Sequence, residues 1–278
     1  MENPIKRIFA VYFSPTGGCK DICLRISGMM AEILGLDIEE IDLTSLTNRQ
    51  EVHEFVQGDL VFITSPVYAS RLPNKIVGDL RTCLVSKGAY ALPMVVYGNR
   101  SPGDALNELR SVCQGAGFSV LAGASLVARH AFSDDIGRGR PDDQDFKEYK
   151  DFVDGLADKL RSDKLDFIRL ADDYEPEPYY VPLKVDGSSA KFLKAKPKTD
   201  ASKCDQCGIC YRVCPISSIS KDDYSDVVGI CIRPVSGSVL RGQSTLMTRN
   251  FCHTLPWLGR TLPEERQINS YKNLNFFK

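Results

Sequence analysis

The chain has 278 residues, of which 43% are hydrophobic and 26% are charged, and its 35 basic and 36 acidic side chains give a net charge of −1. This balance excludes a disordered acidic chain and a strongly basic nucleic-acid-binding protein, and the length predicts two domains. The longest apolar runs, 8–13 and 92–97, are far shorter than the ~18 residues that a membrane helix needs, so no membrane span is expected. No secretory signal is recognisable, and we expect a cytoplasmic protein whose ten cysteines are reduced, some of them as metal ligands.

The first 162 residues alternate short, continuous apolar runs with helical patterns. The runs are rich in Val, Ile, Phe and Tyr and are bounded by Gly, Pro, Ser or Asp, which favours buried parallel strands over buried helices. They predict five strands, at residues 5–13, 36–43, 60–64, 91–97 and 118–127. Helix end signals and an apolar face predict helices at residues 21–34, 73–84, 104–113 and 142–162. The sequence therefore predicts an α/β domain with a doubly wound, five-stranded parallel sheet over residues 1–162.

The loop between the first predicted strand and helix, Ser14-Pro-Thr-Gly-Gly-Cys19, is a candidate anion site. Ligands collect at the carboxyl ends of parallel strands, where backbone N–H groups and a helix N-terminus converge. Hydroxyls of Ser14 and Thr16 would add donors, and Gly17 and Gly18 let the backbone approach a ligand closely. The loop has neither the Gly-Lys-Ser/Thr ending of an NTPase loop nor a Gly-x-Gly-x-x-Gly pattern, which favours a phosphate monoester. For this loop alone, a turn that only caps the helix is an equal alternative.

Two further loops follow the third and fourth predicted strands, at the same edge of the sheet. They are Thr64-Ser-Pro-Val-Tyr-Ala69 and Tyr97-Gly-Asn-Arg-Ser-Pro-Gly-Asp104. With the first loop, they resemble the flavodoxin family, whose phosphate loop has a Thr-Gly core and whose two later loops hold a flavin ring. The resemblance implies the cofactor FMN and the strand order 2-1-3-4-5. It implies phosphate contacts from Ser14, Thr16, Gly17, Gly18 and the backbone N–H of Cys19, and ring contacts from Pro66, Val67, Tyr68, Gly98, Asn99 and Arg100.

Three of the side chains in these loops have alternative interpretations. Arg100 would stabilise the electron density of a reduced flavin, or it could pair with a surface carboxylate. If the other two loops are left out of consideration, Tyr68 would be interpreted as a core or lid aromatic. For Asp104, capping of the following helix is favoured over a contact with the cofactor. The cysteines of this part, Cys19, Cys23, Cys83 and Cys113, are interpreted as small apolar core residues.

Four cysteines near the C-terminus, Cys204-x-x-Cys207-x-x-Cys210-x-x-x-Cys214-Pro, give the most specific signal in the chain. Three close thiolates can surround one iron-sulfur cubane, while a fourth that is followed by proline serves another cluster. A zinc site more often uses two separated Cys-x-x-Cys pairs, and the second pair is missing here. The spacing resembles the bacterial-type ferredoxin module, which implies a 4Fe-4S cluster in a small C-terminal α+β domain over residues 199–233.

A second quartet of cysteines is missing from the rest of the chain. After Cys214 the sequence contains only Cys231 and Cys252, so Cys231 is the remaining candidate ligand for a second cluster. One nominal 4Fe-4S cluster is therefore expected, and a second is not. Residues 234–278 depart from the ferredoxin pattern, and we interpret them as either a divergent tail or a segment translated from a shifted reading frame.

Residues 163–198 are predicted to form a linker, because 172–182 is acidic, rich in proline and without an apolar period. Four lysines at 191–198 are interpreted as part of a solvated linker, with a docking patch for an acidic redox partner as the alternative.

The two resemblances together imply a protein similar to the flavodoxin-ferredoxin fusion proteins of anaerobic bacteria. A flavin accepts one or two electrons and an iron-sulfur cluster accepts one, so the pair can connect hydride-level and single-electron donors. The implied function is electron transfer between FMN and an iron-sulfur cluster, with a redox protein or a small-molecule electron donor or acceptor as partner. Two alternatives stay open: FMN-dependent reduction of a small quinone or nitro compound, and a module that binds FMN or another phosphate without redox chemistry.

Overall fold

The computed structural model describes residues 4–131, 133, 135–162, 165–181, 183, 187–188, 204–223 and 226. These residues divide into two compact units, which we describe separately. One contains residues 4–130 and the described part of 135–180, and the other contains the remaining described residues, of which 204–223 are the longest stretch. Cys231, Cys252, the lysines at 191–198 and the tail at 234–278 lie outside the described residues. In the part of the chain that is described, no helix is long and apolar enough to span a membrane.

Strands and helices alternate through the first unit, as the apolar runs predict. The strands are β1 (Arg7–Tyr12), β2 (Ile38–Asp42), β3 (His53–Val56), β4 (Asp59–Pro66), β5 (Leu84–Lys87), β6 (Tyr90–Tyr97), β7 (Ser119–Val120) and β8 (Ala124–Val127). The helices are α1 (Gly18–Leu34), α2 (Leu46–Gln50), α3 (Val77–Cys83), α4 (Ala105–Gly115) and α5 (Asp143–Arg161). α1 ends at Gly35, whose φ of 66° lies in the left-handed region that glycine adopts easily.

The main sheet is parallel, and its order is β2-β1-β4-β6, with both β7 and β8 paired to β6. This is the doubly wound order 2-1-3-4-5 if β7 and β8 are counted as one interrupted strand. The predicted count of five strands was wrong, because the run at 118–127 forms two short strands. The interruption lies opposite Leu92 and Pro93 of β6, and proline has no N–H to donate to a neighbouring strand.

Both faces of the main sheet are covered by helices, so its inner strands β1, β4 and β6 are apolar on both sides. Along β1, Ile8, Ala10 and Tyr12 pack with α1 and α5 on one face, while Phe9 and Val11 pack with α3 and α4 on the other. This two-sided burial explains why the strands form continuous apolar runs instead of alternating patterns.

A second, two-stranded parallel sheet formed by β3 and β5 was not predicted. β3 has four residues, of which Phe55 alone is buried, so it lacks the apolar run that identified the other strands. β5 begins at Leu84, where the sequence predicted the end of a helix over 73–84. The helix in this region, α3, is shorter, because residues 73–76 form a turn before it.

The chain after α5 packs along the first unit, contrary to the prediction of a linker from residue 163. The Ile168 N–H donates to the Val120 carbonyl at 2.8 Å, and the Leu170 N–H donates to Gln114 Oε1 at 2.7 Å. The Phe167 ring stacks on Tyr90 with centroids 6.0 Å apart. The unit therefore extends to Tyr180. Residues 165–180, as described, form no helix or strand, and their isolated apolar and aromatic side chains pack without the regular spacing that sequence analysis detects.

The second unit contains the four-cysteine motif and one short helix within its described residues, α6 (Ile209–Arg212). The residue before this helix, Gly208, has a φ of 70°, and the preceding Cys204–Cys207 stretch has no regular secondary structure.

Candidate functional site

The loop at residues 14–18 joins β1 to α1 at the carboxyl edge of the main sheet. Ser14 fixes both ends of the loop: its N–H donates to Thr44 Oγ1, and its Oγ accepts from the Lys20 N–H, each at 2.9 Å. The Gly17 N–H donates to the Ser14 carbonyl at 3.2 Å. The residue at the N-cap position, Gly17, has no side chain, and the Ser14 hydroxyl caps the helix N-terminus in its place.

The first turn of α1 leaves donors and space for a ligand. In the described part of the chain, no hydrogen-bond acceptor lies at the backbone N–H groups of Gly18 and Cys19. A Cβ built on Gly17 or Gly18 would have no heavy atom within 4 Å. The Cys19 side chain is buried, so this residue can offer a ligand its backbone alone. Unpaired N–H groups at a helix N-terminus, next to glycines without close neighbours, are suited to an anion.

A charged cluster lies beside this loop. Lys20 Nζ is 2.6 Å from Glu40 Oε1, and the Tyr12 hydroxyl donates to the same carboxylate. The hydrogen bond from Lys20 and then that from Tyr12 lower the pKa of Glu40. Burial and the hydrogen bond to Glu40 raise the pKa of Tyr12. The cluster fixes the first turn of α1 to β2, the neighbouring strand.

The loop after β4 makes a tight turn that presents Tyr68. The Val67 N–H donates to the Val96 carbonyl at 2.9 Å, and Tyr68 and Arg71 exchange two backbone hydrogen bonds of 2.8 and 3.1 Å. Between them, Ala69 and Ser70 have positive φ values of 50° and 68°, which few non-glycine residues adopt. Tyr68 is 40% exposed, so its interpretation as a core aromatic is excluded.

The loop after β6 lies against the loop after β4. The Asp104 N–H donates to the Ser70 carbonyl at 2.9 Å, and a Cβ at Gly103 would come 2.7 Å from Ser70 Cα. The predicted ring contacts Gly98, Asn99 and Arg100 occupy the start of this loop. Asn99 has a φ of 54°, and the Arg100 side chain is exposed. The structure thus brings the two predicted ring loops together at one edge of the sheet.

A third loop, after β8, contacts the same place and was not predicted. A Cβ at Gly98 would lie 2.8 Å from His130 Cα, and one at Gly137 would lie 3.1 Å from Asn99 Cβ. The loop is closed by a 3.1 Å hydrogen bond from the Arg129 N–H to the Arg140 carbonyl. The contact of His130 with Gly98 depends on a tertiary approach that local sequence spacing does not reveal.

The segment at residues 174–180 crosses both ring loops. The Tyr180 N–H donates to the Ala69 carbonyl at 2.9 Å, and the Tyr179 hydroxyl donates to the Leu72 carbonyl at 2.8 Å. The Arg100 guanidinium lies 4.0 Å from the centre of the Tyr180 ring, within cation–π distance. This segment belongs to the predicted linker, so sequence analysis missed its part in the site.

Asp104 holds this segment instead of capping α4. Its Oδ2 accepts from the Tyr174 hydroxyl at 2.6 Å and from the Glu177 N–H at 3.0 Å. It occupies the N-cap position of α4, but its carboxylate accepts no backbone hydrogen bond from that helix. The expectation of a simple helix cap was therefore wrong, because two donors from residues about seventy positions later take the carboxylate.

A buried ion pair supports the same loops from below. Arg71 Nε and Nη2 donate to the two oxygens of Glu108 at 2.8 and 2.6 Å, and Glu108 is fully buried. Glu108 also accepts from the Leu72 N–H, while Arg71 donates to the Glu177 carbonyl. The hydrogen bonds that Arg71 donates to Glu108 raise the pKa of Arg71. A bidentate pair with further hydrogen bonds holds both partners in one geometry, which fixes the loop after β4.

The four cysteines of the second unit differ in environment. Cys207 is exposed, Cys204 and Cys210 are partly buried, and Cys214 is buried. The pKa of Cys210 is raised by burial and by the nearby thiols of Cys204 and Cys207. Cys214 Sγ lies 3.3 Å from both the N–H and the hydroxyl of Ser218. Among the described residues, no three His, Cys, Asp or Glu side chains stand in an arrangement that would hold a metal ion. The type and spacing of the donors fit an iron-sulfur cluster.

The cysteines of the first unit are core residues, as predicted. Burial raises the pKa of Cys83 to about 11 and those of Cys23 and Cys113 to about 12. Burial also raises the pKa of Cys19, so none of these four thiols is an activated nucleophile.

Comparison with known proteins supports the interpretation of the cysteine motif. The family model for 4Fe-4S binding domains matches residues 197–220, which contain all four cysteines of the motif and end before Cys231. No curated protein matches the chain. The family match confirms the prediction of a ferredoxin-type motif.

Solved flavodoxin structures align with slightly more than half of the chain. A flavodoxin from Archaea is 16% identical, with a TM-score of 0.37, and the alignment covers 56% of this chain and 100% of that one. A Streptococcus pneumonia TIGR4 flavodoxin is 17% identical, with a TM-score of 0.38 and coverages of 55% and 99%. The apo form of an NADH:FMN oxidoreductase is 16% identical, with a TM-score of 0.40 and coverages of 56% and 91%. The strand order and the family match together confirm the predicted combination of a flavodoxin-like fold and a 4Fe-4S motif.

Proposed function

We propose that the first unit binds FMN at the carboxyl edge of its sheet. The observation that supports this most is the first turn of α1, where the N–H groups of Gly18 and Cys19 have no acceptor among the described residues and a Cβ at Gly17 or Gly18 would meet no heavy atom within 4 Å. A phosphate monoester matches these donors, and the hydroxyls of Ser14 and Thr16 add to them. The flavin ring would be held by Pro66, Val67, Tyr68, Gly98, Asn99 and Arg100. The residues present therefore fit FMN.

In this proposal the protein is an electron carrier. FMN, when bound, supplies the exchange of one or two electrons. The chain's residues orient it: the α1 loop holds the phosphate, the two ring loops hold the flavin, and the Arg100 guanidinium places positive charge near it. Positive charge favours the reduced flavin, because reduction adds electron density to the ring.

The second unit would exchange single electrons through a 4Fe-4S cluster. Its proposed ligands are Cys204, Cys207 and Cys210, with Cys214 or Cys231 as further thiolates. The match of residues 197–220 to 4Fe-4S binding domains supports this assignment. The function that follows is electron transfer between a flavin and an iron-sulfur cluster, with a redox protein or a small molecule as donor or acceptor.

One experiment tests both cofactors. The full chain is purified and reconstituted under anaerobic conditions with FMN, iron and sulfide, and its absorbance spectrum and its flavin, iron and sulfide contents are measured. We expect flavin bands near one FMN per chain, together with broad cluster absorbance that is bleached by dithionite. If the protein binds flavin but no iron or sulfide, electron transfer to a cluster is excluded. The remaining functions are then an FMN-binding module and a flavin reductase. A protein that retains neither would contradict the proposal.

A further inference from the structure

We infer that Tyr180 is a positioning residue of the flavin site, acting through Arg100, and that residues 174–180 form part of that site. This inference rests on the proposed binding of FMN. These residues lie after the last strand and helix of the flavodoxin-like sheet. The flavodoxin resemblance did not imply that they contact the cofactor.

The 174–180 segment is attached to both ring loops, so its position depends on them. Tyr180 and Tyr179 donate to carbonyl oxygens of Ala69 and Leu72 in the loop after β4. Tyr174 and Glu177 donate to the carboxylate of Asp104, at the end of the loop after β6. Because four donors from a seven-residue stretch reach two loops, the stretch holds the loops in one relative position.

The same segment fixes the direction of Arg100. An exposed arginine has many rotamers of similar energy, and restricting it costs entropy. The Tyr180 ring lies 4.0 Å from the Arg100 guanidinium, and its backbone is fixed by the hydrogen bond to Ala69. A cation–π contact of this kind selects the rotamers in which the guanidinium lies over the ring.

The exposure of Tyr180 argues against a purely structural role. Its side chain is 40% exposed, as is that of Tyr68, two residues after the end of β4. Within the described chain the Tyr180 hydroxyl makes no hydrogen bond, so the ring face is the part that contacts Arg100. Tyr180→Phe therefore keeps the contact, whereas Tyr180→Leu removes it.

The consequence for the cofactor is electrostatic. If Arg100 is held near the flavin, its charge favours the reduced form, and release of Arg100 to solvent weakens that effect. Tyr180→Leu should therefore lower the FMN midpoint potential and weaken FMN binding by about threefold to tenfold. Tyr180→Phe should behave as the wild type, because the π face is retained.

The experiment measures FMN affinity by fluorescence titration and midpoint potential by anaerobic redox titration of the full chain. The variants are Tyr180→Leu, Tyr180→Phe, Arg100→Gln and the double variant Tyr180→Leu/Arg100→Gln. Phe167→Leu is the matched control, because it removes another exposed aromatic of the same returning chain, one that stacks on Tyr90. We expect Tyr180→Leu to have little further effect on the potential once Arg100 is replaced.

The outcomes separate this inference from the proposed function. Wild-type protein without FMN affinity would overturn both. Wild-type protein that binds FMN while Tyr180→Leu keeps the same affinity and potential would overturn the role of Tyr180 alone. Equal shifts from Tyr180→Leu and Phe167→Leu, or additive shifts from Tyr180→Leu and Arg100→Gln, would also reject positioning through Arg100.

Discussion

Gly17 combines a backbone requirement with a place at the proposed phosphate site. Its φ of 90° lies in the left-handed region, which costs other residues about 1–2 kcal/mol. A side chain there would also fill space next to the first turn of α1 that is open in the structure. The two effects can be separated, because Gly35 at the other end of α1 has a similar positive φ and open surroundings.

We expect Gly17→Val to lower the FMN affinity by at least about tenfold, while Gly35→Val leaves it near the wild-type value. Both variants should lose about 1–2 kcal/mol of unfolding free energy, since both impose a side chain on a positive φ. Fluorescence titration with FMN and urea denaturation measure the two quantities. If Gly17→Val kept the wild-type FMN affinity, the assignment of the α1 loop to the phosphate site would be wrong.

Glu40 predicts a pH dependence of stability. Its pKa is lowered in the folded protein, first by the hydrogen bond from Lys20. A carboxyl group with a lowered folded pKa stabilises the fold above its unfolded pKa, and this contribution is lost as the pH falls through the folded value. Glu40→Gln should therefore be less stable than the wild type at neutral pH, and the difference should disappear in acid. Urea denaturation from pH 7 downward measures it, with the exposed Glu51→Gln as control. A difference that does not change with pH would contradict this assignment.

At the scale of elements, α5 shows how local sequence fixes a helix start. The Asp142 carboxylate accepts from the N–H groups of Gln144 and Asp145 at 3.0 and 3.1 Å, and Asp145 accepts from the Asp142 N–H at 2.7 Å. This reciprocal arrangement is a capping box. Arg140 makes a bidentate ion pair with Asp145, which connects the cap to the loop that contacts Gly98 and Asn99.

Asp142→Ala should lower the unfolding free energy by about 1 kcal/mol, because two N–H groups of the first turn lose their acceptor. Asp143→Ala, at the neighbouring position, should change it by less than half of that amount. Thermal and urea denaturation of the two variants provide the comparison. Equal losses would show that the charge of the first turn, and not the cap, stabilises α5.

At the scale of the whole molecule, the two units have different relations to their proposed cofactors. The first unit has a hydrophobic cluster on each sheet face, so we expect it to fold without FMN. The described part of the second unit has one four-residue helix and four cysteines. The stretch 204–223, with so little regular structure, is expected to gain much of its stability from cluster ligation.

Cys207→Ser should therefore reduce bound iron and sulfide after anaerobic reconstitution, while FMN binding stays unchanged. Cys83→Ala, which removes a buried thiol of the first unit, should retain wild-type iron. Iron and sulfide assays beside a flavin titration measure these effects. Unchanged iron in Cys207→Ser would exclude that thiolate from the cluster.

The sequence by itself determined the features that depend on neighbouring residues. Continuous apolar runs located β1, β4 and β6, because strands buried on both faces need such runs. Cysteine spacing identified the 4Fe-4S motif, because a cubane needs several thiolates within a short stretch of chain. The order of loops after the strands placed the candidate site at one sheet edge, since parallel strands end on the same side.

Tertiary structure alone decided which distant segments complete that edge. Asp104 is of a residue type, and at a position, typical of a helix N-cap. Its carboxylate instead accepts hydrogen bonds from Tyr174 and Glu177, which the chain brings back along the first unit. Residues 174–180 have no periodic pattern, so their contacts with Ala69, Leu72 and Arg100 could not be foreseen from local sequence. Hydrogen bonds and cation–π contacts between residues so far apart depend on the path of the whole chain, and a spacing rule detects only residues that one element brings together.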